Sequence, residues 1–178
     1  MSIIVYGPQG CGKPLAAPLL KRAFNLDVTW DGFDYVDRPL YSRATRSLPD
    51  LDGVEPYDWA RQHPDDFKAA RILFLTHALP PYDLRHARRI VSFVDALDLA
   101  VNMGIRTYLA DWPRAQAIES ITARSILEAV GVVPQLQSKP LFGTVNRVMT
   151  ELGWNRVRLR AAGEPVTWAY QPALKEAA

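Results

Sequence analysis

The apolar positions of this chain change their rhythm along its length. Ile3-Ile4-Val5-Tyr6 is a short apolar run that meets Gly7 directly, which predicts a buried strand. Leu15-Ala16-Ala17-Pro18-Leu19-Leu20-Lys21-Arg22-Ala23-Phe24 follows with helical character, so a first helix is expected near 14–24. Asp27-Val28-Thr29-Trp30 reads as a second strand ending at Asp31-Gly32. Arg71–Thr76 is a third, closed by Pro80-Pro81, and Arg89–Phe93 a fourth, succeeded by a helix over Asp95–Met103. Short apolar strands separated by helical stretches predict an α/β unit with a mainly parallel sheet. Residues 33–68 lack this rhythm; Pro39, Pro49, Pro56 and Pro64 punctuate them, which predicts loops and one short helix over 56–62.

Gly104 and the turn Asp111-Trp112-Pro113 interrupt the periodicity. A boundary is therefore expected at 104–116, with one domain over 1–110 and another over 114–178. In the second domain, Ile118, Ile121, Ile126, Leu127 and Val130 predict an amphipathic helix that stops at Gly131. Leu141, Phe142, Val145, Val148, Met149 and Leu152 mark one face of another, stopped by Gly153. The opposite face offers Thr144, Asn146, Arg147 and Glu151. Arg156-Val157-Arg158-Leu159-Arg160 then alternates basic and apolar, turns through Ala161–Pro165, and Val166–Tyr170 alternates again. Two period-2 segments across a short Gly-containing loop predict a β-hairpin. Helix, helix and basic hairpin is the order of a winged helix-turn-helix, so this domain is expected to be α+β.

The residues after the first strand carry the most specific chemistry. Gly7-Pro8-Gln9-Gly10-Cys11-Gly12-Lys13 matches the phosphate-binding pattern G-x-x-x-x-G-K. Its glycines let successive N–H groups wrap a phosphate chain, and its lysine sets a positive charge at the β/γ-phosphates. Pro14 stands where the pattern has the Ser or Thr that ligates Mg²⁺, and it also removes a backbone N–H. The loop is thus degenerate, with Gly7, Gln9, Gly10, Cys11, Gly12 and Lys13 as the candidate nucleotide contacts. The bland alternative is a glycine-rich strand-to-helix turn. Pro18, a turn further in, is expected to kink or delay the helix.

Composition narrows the classes. At 178 residues and 48% hydrophobic the chain suits one medium or two small globular domains. No apolar run approaches membrane-spanning length and no basic-then-apolar leader precedes the first strand. Cys11 is the single cysteine, so no intramolecular disulfide can form; a cytoplasmic location and no membrane partner are expected. Residues 1–113 carry 13 Lys and Arg against 14 Asp and Glu, and 114–178 carry 8 against 5. That asymmetry makes the C-terminal part the expected partner of a polyanion.

Arg156, Arg158 and Arg160 share one side of their strand, which suits phosphate contact, while Asn146 and Arg147 are types that read adenine and guanine edges. A solvated appendage or a protein-docking module is the alternative. Asp31, after a strand, is the candidate Mg²⁺ group, against a surface Asp-Gly turn. Thr76 and His77 end a strand at a ligand-facing edge, and Arg85, Arg88 and Arg89 can supply positive charge. His63, His77 and His86 have no zinc spacing.

The N-terminal run Ile3–Lys13, Trp30-Asp31-Gly32 and Leu73–Thr76 resemble small P-loop NTPase-like proteins of bacteriophages and prophages. The Thr122–Gly131 helix, Val148–Arg156 and the following hairpin are similar to the terminal winged domain of phage primase–helicase and virulence-associated E proteins. The resemblance covers about half the chain and implies an α/β P-loop NTPase-like parallel sheet followed by a winged helix. It implies an accessory protein of DNA metabolism that binds ATP at the loop and double-stranded DNA through Thr144, Asn146, Arg147, Arg156, Arg158 and Arg160, beside a replication or regulatory protein partner. The family has Lys-Thr where this chain has Lys13-Pro14, which argues against hydrolysis and for weak Mg²⁺ use. Two alternatives stay open: a DNA-binding regulator with a vestigial loop, and a small kinase-like phosphotransferase with its acceptor site in 33–68.

Overall fold

The computed structural model describes residues 2–31, 61–77, 79, 89–110, 120–159 and 167–173, with the backbone alone at Asp31 and Lys68. The chain divides into two compact units, Met1–Ala100 and Val101–Ala178. The division falls within a continuous helix, upstream of the 104–116 boundary that the turn residues suggest.

The first unit is α/β. It runs β1 (Ile3–Tyr6), α1 (Lys13–Phe24), β2 (Val28–Asp31), α2 (Pro64–Ala69), β3 (Ile72–Thr76), β4 (Ile90–Ser92) and then α3 (Phe93–Ala110), which continues into the second unit. The strands form a sheet in the order β2-β3-β1-β4, and every pair is parallel. Every residue of β3 is buried, because a parallel strand covered on both faces needs apolar side chains on both. The chain leaves β1 for β2 in one direction across the sheet and β3 for β4 in the other. Of the helices, α1 lies in the β1-to-β2 connection and α2 in the β2-to-β3 connection, which runs back the opposite way. In register, Trp30 lies beside Phe74 and Phe74 beside Ile4. The Trp30 and Phe74 rings meet edge to face at 4.4 Å, and Phe67 of α2 meets Phe74 at 4.5 Å.

Polar ties fasten the amino ends of the strands. The buried Ser2 hydroxyl donates to the Phe67 carbonyl at 2.6 Å and accepts from the Ile72 amide at 2.9 Å. Arg71 donates to the Asn25 carbonyl at 2.9 Å and pairs with Asp27 at 3.3 Å, which joins the end of α1 to the start of β3.

Two local expectations are corrected here. Pro18 neither delays nor ends α1, which runs unbroken from Lys13 to Phe24. Pro18 lies on the exposed side together with Pro14, the residue whose carbonyl loses its donor, so water can satisfy the orphan group. Part of the irregular stretch 33–68 forms α2, and most of the 56–62 helix expectation lies outside the described residues.

The second unit follows the end of α3 with β5 (Ile121–Thr122), α4 (Ala123–Ala129), a 3₁₀ turn at Pro134–Leu136, α5 (Lys139–Glu151), β6 (Trp154–Leu159) and β7 (Thr167–Pro172). Its sheet is antiparallel with the order β5-β7-β6. The helix expected from Ile118 is shorter: Ile121 and Thr122 pair with Tyr170 and Ala169 as a strand. The Thr122 side chain then accepts the Ser125 amide at 3.1 Å and caps α4. Val145, Val148 and Met149 of α5 are fully buried. Gly104 of α3 admits a close approach, since a Cβ there would lie 3.2 Å from the Val130 Cβ. Arg106 and Glu151 form an ion pair between α3 and α5. Among the described residues no helix is long and apolar enough to cross a membrane.

Replacing Ser2 by Ala should lower stability by about 1–3 kcal/mol, since it orphans a buried carbonyl and a buried amide at once. Urea unfolding followed by circular dichroism measures it; an unchanged midpoint would show that the Phe67–Ile72 tie contributes nothing.

Candidate functional site

The loop between β1 and α1 begins at the carboxyl end of a central strand. Loops from adjacent strands β1 and β3 depart in opposite directions, and this is where open α/β sheets form a ligand crevice. The Gly7 amide donates to the Thr76 carbonyl at 3.1 Å and fixes the loop's first residue against β3. A side chain at Gly7 would put its Cβ 3.0 Å from that of Phe93, so any larger residue there needs Phe93 to shift. Gly10 and Gly12 adopt φ of 75° and 93°, left-handed conformations that other residues resist. Among the described residues, the amides of Gly10, Gly12 and Lys13 donate to no backbone carbonyl. Cys11 closes a turn instead, donating to the Pro8 carbonyl at 3.4 Å.

Lys13, the first residue of α1, is 3% exposed. Its Nζ donates to the Gly7 carbonyl at 2.6 Å and the Pro8 carbonyl at 2.9 Å, and reaches the Cys11 Sγ at 3.5 Å. Three neutral partners occupy the three donors of the ammonium. Among the described residues no carboxylate pairs with it. Its partners are two carbonyls and a thiol, none of which supplies a counter-charge, so the site favours an incoming anion. Six candidate nucleotide contacts, Gly7, Gln9, Gly10, Cys11, Gly12 and Lys13, thus lie on one short loop around one buried charge.

The other candidates near the loop separate. Asp31 ends β2, with β3 between it and β1, roughly 10 Å across the sheet. Thr76 and His77 end the adjacent strand and are nearer. Pro14 is exposed and offers no side-chain oxygen, and among the described residues no three His, Cys, Asp or Glu side chains cluster to hold a metal. Among the described residues, then, the loop has no hydroxyl to ligate Mg²⁺ in the usual phosphate-loop way. Arg85, Arg88 and His86 lie outside the described residues.

The second unit holds a cleft of about 730 Å³ lined by β5, α4, α5, β6 and β7. Arg124, Lys139 and Arg156 supply cations, and Phe142, Trp168 and Tyr170 supply rings. Hairpin register builds this wall: Arg156 lies opposite Tyr170 and Arg158 opposite Trp168. The Arg156 guanidinium sits over the Trp168 ring, 4.1 Å from its centre, a contact worth about 0.5–2 kcal/mol. Tyr170 donates its hydroxyl to the Asn146 Oδ1 at 3.4 Å, which leaves Asn146 its Nδ2 donors for the cleft.

The sequence-derived nucleic-acid residues divide accordingly. Asn146 and Arg156 line the cleft; Arg147 and Arg158 are exposed outside it; Arg160 lies outside the described residues. Thr144 is a correction. It is 5% exposed and its hydroxyl donates to the Pro140 carbonyl at 3.4 Å, because its position falls on the same helical face as Leu141 and Val148. Arg124, Lys139, Trp168 and Tyr170 had no place in the sequence-derived site. The alternation of Thr167–Tyr170 was the available signal, since cross-strand pairing carries Trp168 and Tyr170 to the arginine side.

No protein-family model matches the sequence, and no curated protein or solved structure matches it either.

Burial raises the Tyr170 pKa above the ordinary phenol value, and the Arg156 charge offsets part of that rise. Below about pH 10 both folded and unfolded chains keep the phenol protonated. Above it the unfolded chain ionises first, so this group's contribution to stability falls as pH rises toward the folded pKa. Arg156→Ala should push the Tyr170 titration further up, measured by NMR of labelled tyrosine rings. Thermal melts of Tyr170→Phe should decline less between neutral and alkaline pH than those of the parent; parallel declines would exclude Tyr170 as a source of the pH dependence.

Proposed function

We propose that this chain is a two-part accessory protein of DNA metabolism, of the phage type, which binds nucleotide phosphates at Gly7–Lys13 and duplex DNA through its C-terminal unit. The observation that carries the first half is Lys13: a buried ammonium with no counter-charge among the described residues, at the mouth of a parallel sheet. The glycine geometry and the uncommitted amides of Gly10, Gly12 and Lys13 favour the same ligand. Binding without hydrolysis follows from Pro14, which offers neither a metal-ligating oxygen nor an N–H.

The second half rests on the order helix, strand, helix, helix, strand, strand in the C-terminal unit and on its β5-β7-β6 sheet. This order supports the winged-helix reading, in which α5 is the groove-reading helix and the β6–β7 hairpin the wing. Val101–Ala178 carries nine Lys and Arg against six Asp and Glu, and Arg147, Arg156 and Arg158 are all exposed. One observation favours the regulator with a vestigial loop: the loop's own carbonyls and thiol already occupy every donor of Lys13. A phosphate must displace at least one of them.

A titration of fluorescent ATP analogue separates these readings. Micromolar-to-millimolar binding that changes little between Mg²⁺ and EDTA is the expected result. Pro14→Thr should tighten it, because the restored amide adds a charge-assisted hydrogen bond worth about 1.5–3 kcal/mol. No binding by either form would make the loop a scaffold.

Duplex binding has its own measurement. Arg147→Ala combined with Arg158→Ala should lower the slope of log K against log salt by about 0.9 per lost phosphate contact. An identical slope in the double variant would remove these arginines from the phosphate interface.

A further inference from the structure

We infer that the cleft of the C-terminal unit binds an unpaired nucleotide of a single-stranded nucleic acid, with the base against Trp168 and the phosphate among Arg124, Lys139 and Arg156. This rests on the nucleic-acid reading above and gives it a second mode. A duplex wing needs only a row of cations facing phosphates. This cleft has more than that.

Its charge is one-sided. Arg124, Lys139 and Arg156 line it and, among the described residues, no carboxylate does, so these side chains attract an incoming anion. Its rings are the second element. Trp168 is large and apolar yet 48% exposed, and the Arg156 guanidinium carbon sits over it, 4.1 Å from the ring centre. Single-strand binders use such platforms, since every base has a π-face and arginine adds a cation–π contribution. A base inside a duplex keeps its faces within the stack and cannot present them to Trp168. The third element is polar: Tyr170 engages the Asn146 Oδ1, so Asn146 offers the cleft a donor for a base carbonyl or ring nitrogen. The volume, about 730 Å³, is within the range of pockets that enclose a small organic ligand, enough for one or two nucleotides and far too small for a double helix.

The test uses the full chain and two fluorescein-labelled probes, a short mixed-sequence single strand and a duplex of the same sequence, read by anisotropy at matched salt. Trp168→Ala should weaken single-strand binding about tenfold or more and duplex binding by much less. Trp168→Phe keeps a ring and should retain most of the single-strand affinity. Lys139→Glu, an exposed change that guards against misfolding of the tryptophan variant, should also weaken the single strand. Duplex binding without single-strand binding would overturn this inference and leave the duplex reading standing. Binding of neither probe would overturn both. An equal loss of the two affinities in Trp168→Ala, or no loss in either, would overturn the cleft as a separate single-strand site.

Discussion

Strand β1 is hydrogen-bonded along both edges, to β3 on one side and β4 on the other, and the N-terminal unit depends on that double pairing. A parallel strand inside a sheet must satisfy its backbone through its neighbours and cover both faces with apolar side chains. Ile3, Ile4 and Val5 are accordingly buried almost completely. Because the connections from β1 and β3 leave in opposite directions, the residues after Tyr6 emerge at the point of an open α/β sheet where ligand crevices form. Gly7 is pinned there by the Thr76 carbonyl and pressed by Phe93. The loop owes its position to the sheet and its shape to its own glycines.

Charge is handled differently in the two units. In the loop, one ammonium is buried and held by two neutral carbonyls and a thiol, which concentrates a positive field where water is scarce. In the C-terminal cleft the cations are spread over α4, α5 and β6 and stay near solvent, where salt screens them. There the aromatic rings add what screened charge lacks. Trp168 and Tyr170 give π-faces and a hydroxyl that salt does not weaken, and Arg156 bridges the two kinds of interaction through its contact with Trp168.

Much of the local architecture was legible because it follows short-range rules. Apolar runs marked all four strands of the parallel sheet within a residue or two, and the alternation of Arg156–Leu159 and Thr167–Tyr170 marked the hairpin. Misreadings arose where tertiary context outweighed propensity. Pro18 looks like a helix breaker until its side of α1 faces water. Ile121 and Thr122 continue a helical pattern, yet β7 offers them an edge to pair with and Thr122 is better used as a cap. Thr144 is polar by composition and buried by position, one turn from Leu141 and Val148.

The sequence alone determined an α/β first unit, a glycine loop ending in Lys13, and an excess of positive charge toward the C-terminus, because period, glycine placement and composition are local properties of the chain. The tertiary structure decided the strand order β2-β3-β1-β4, and with it that Thr76 and not Asp31 lies beside the loop. It decided that Lys13 is buried with no carboxylate partner among the described residues, and that Arg156, Trp168, Tyr170 and Asn146 meet in one cleft. These are contacts between residues far apart in the chain. Such contacts follow from strand register and helix packing, which no single segment encodes.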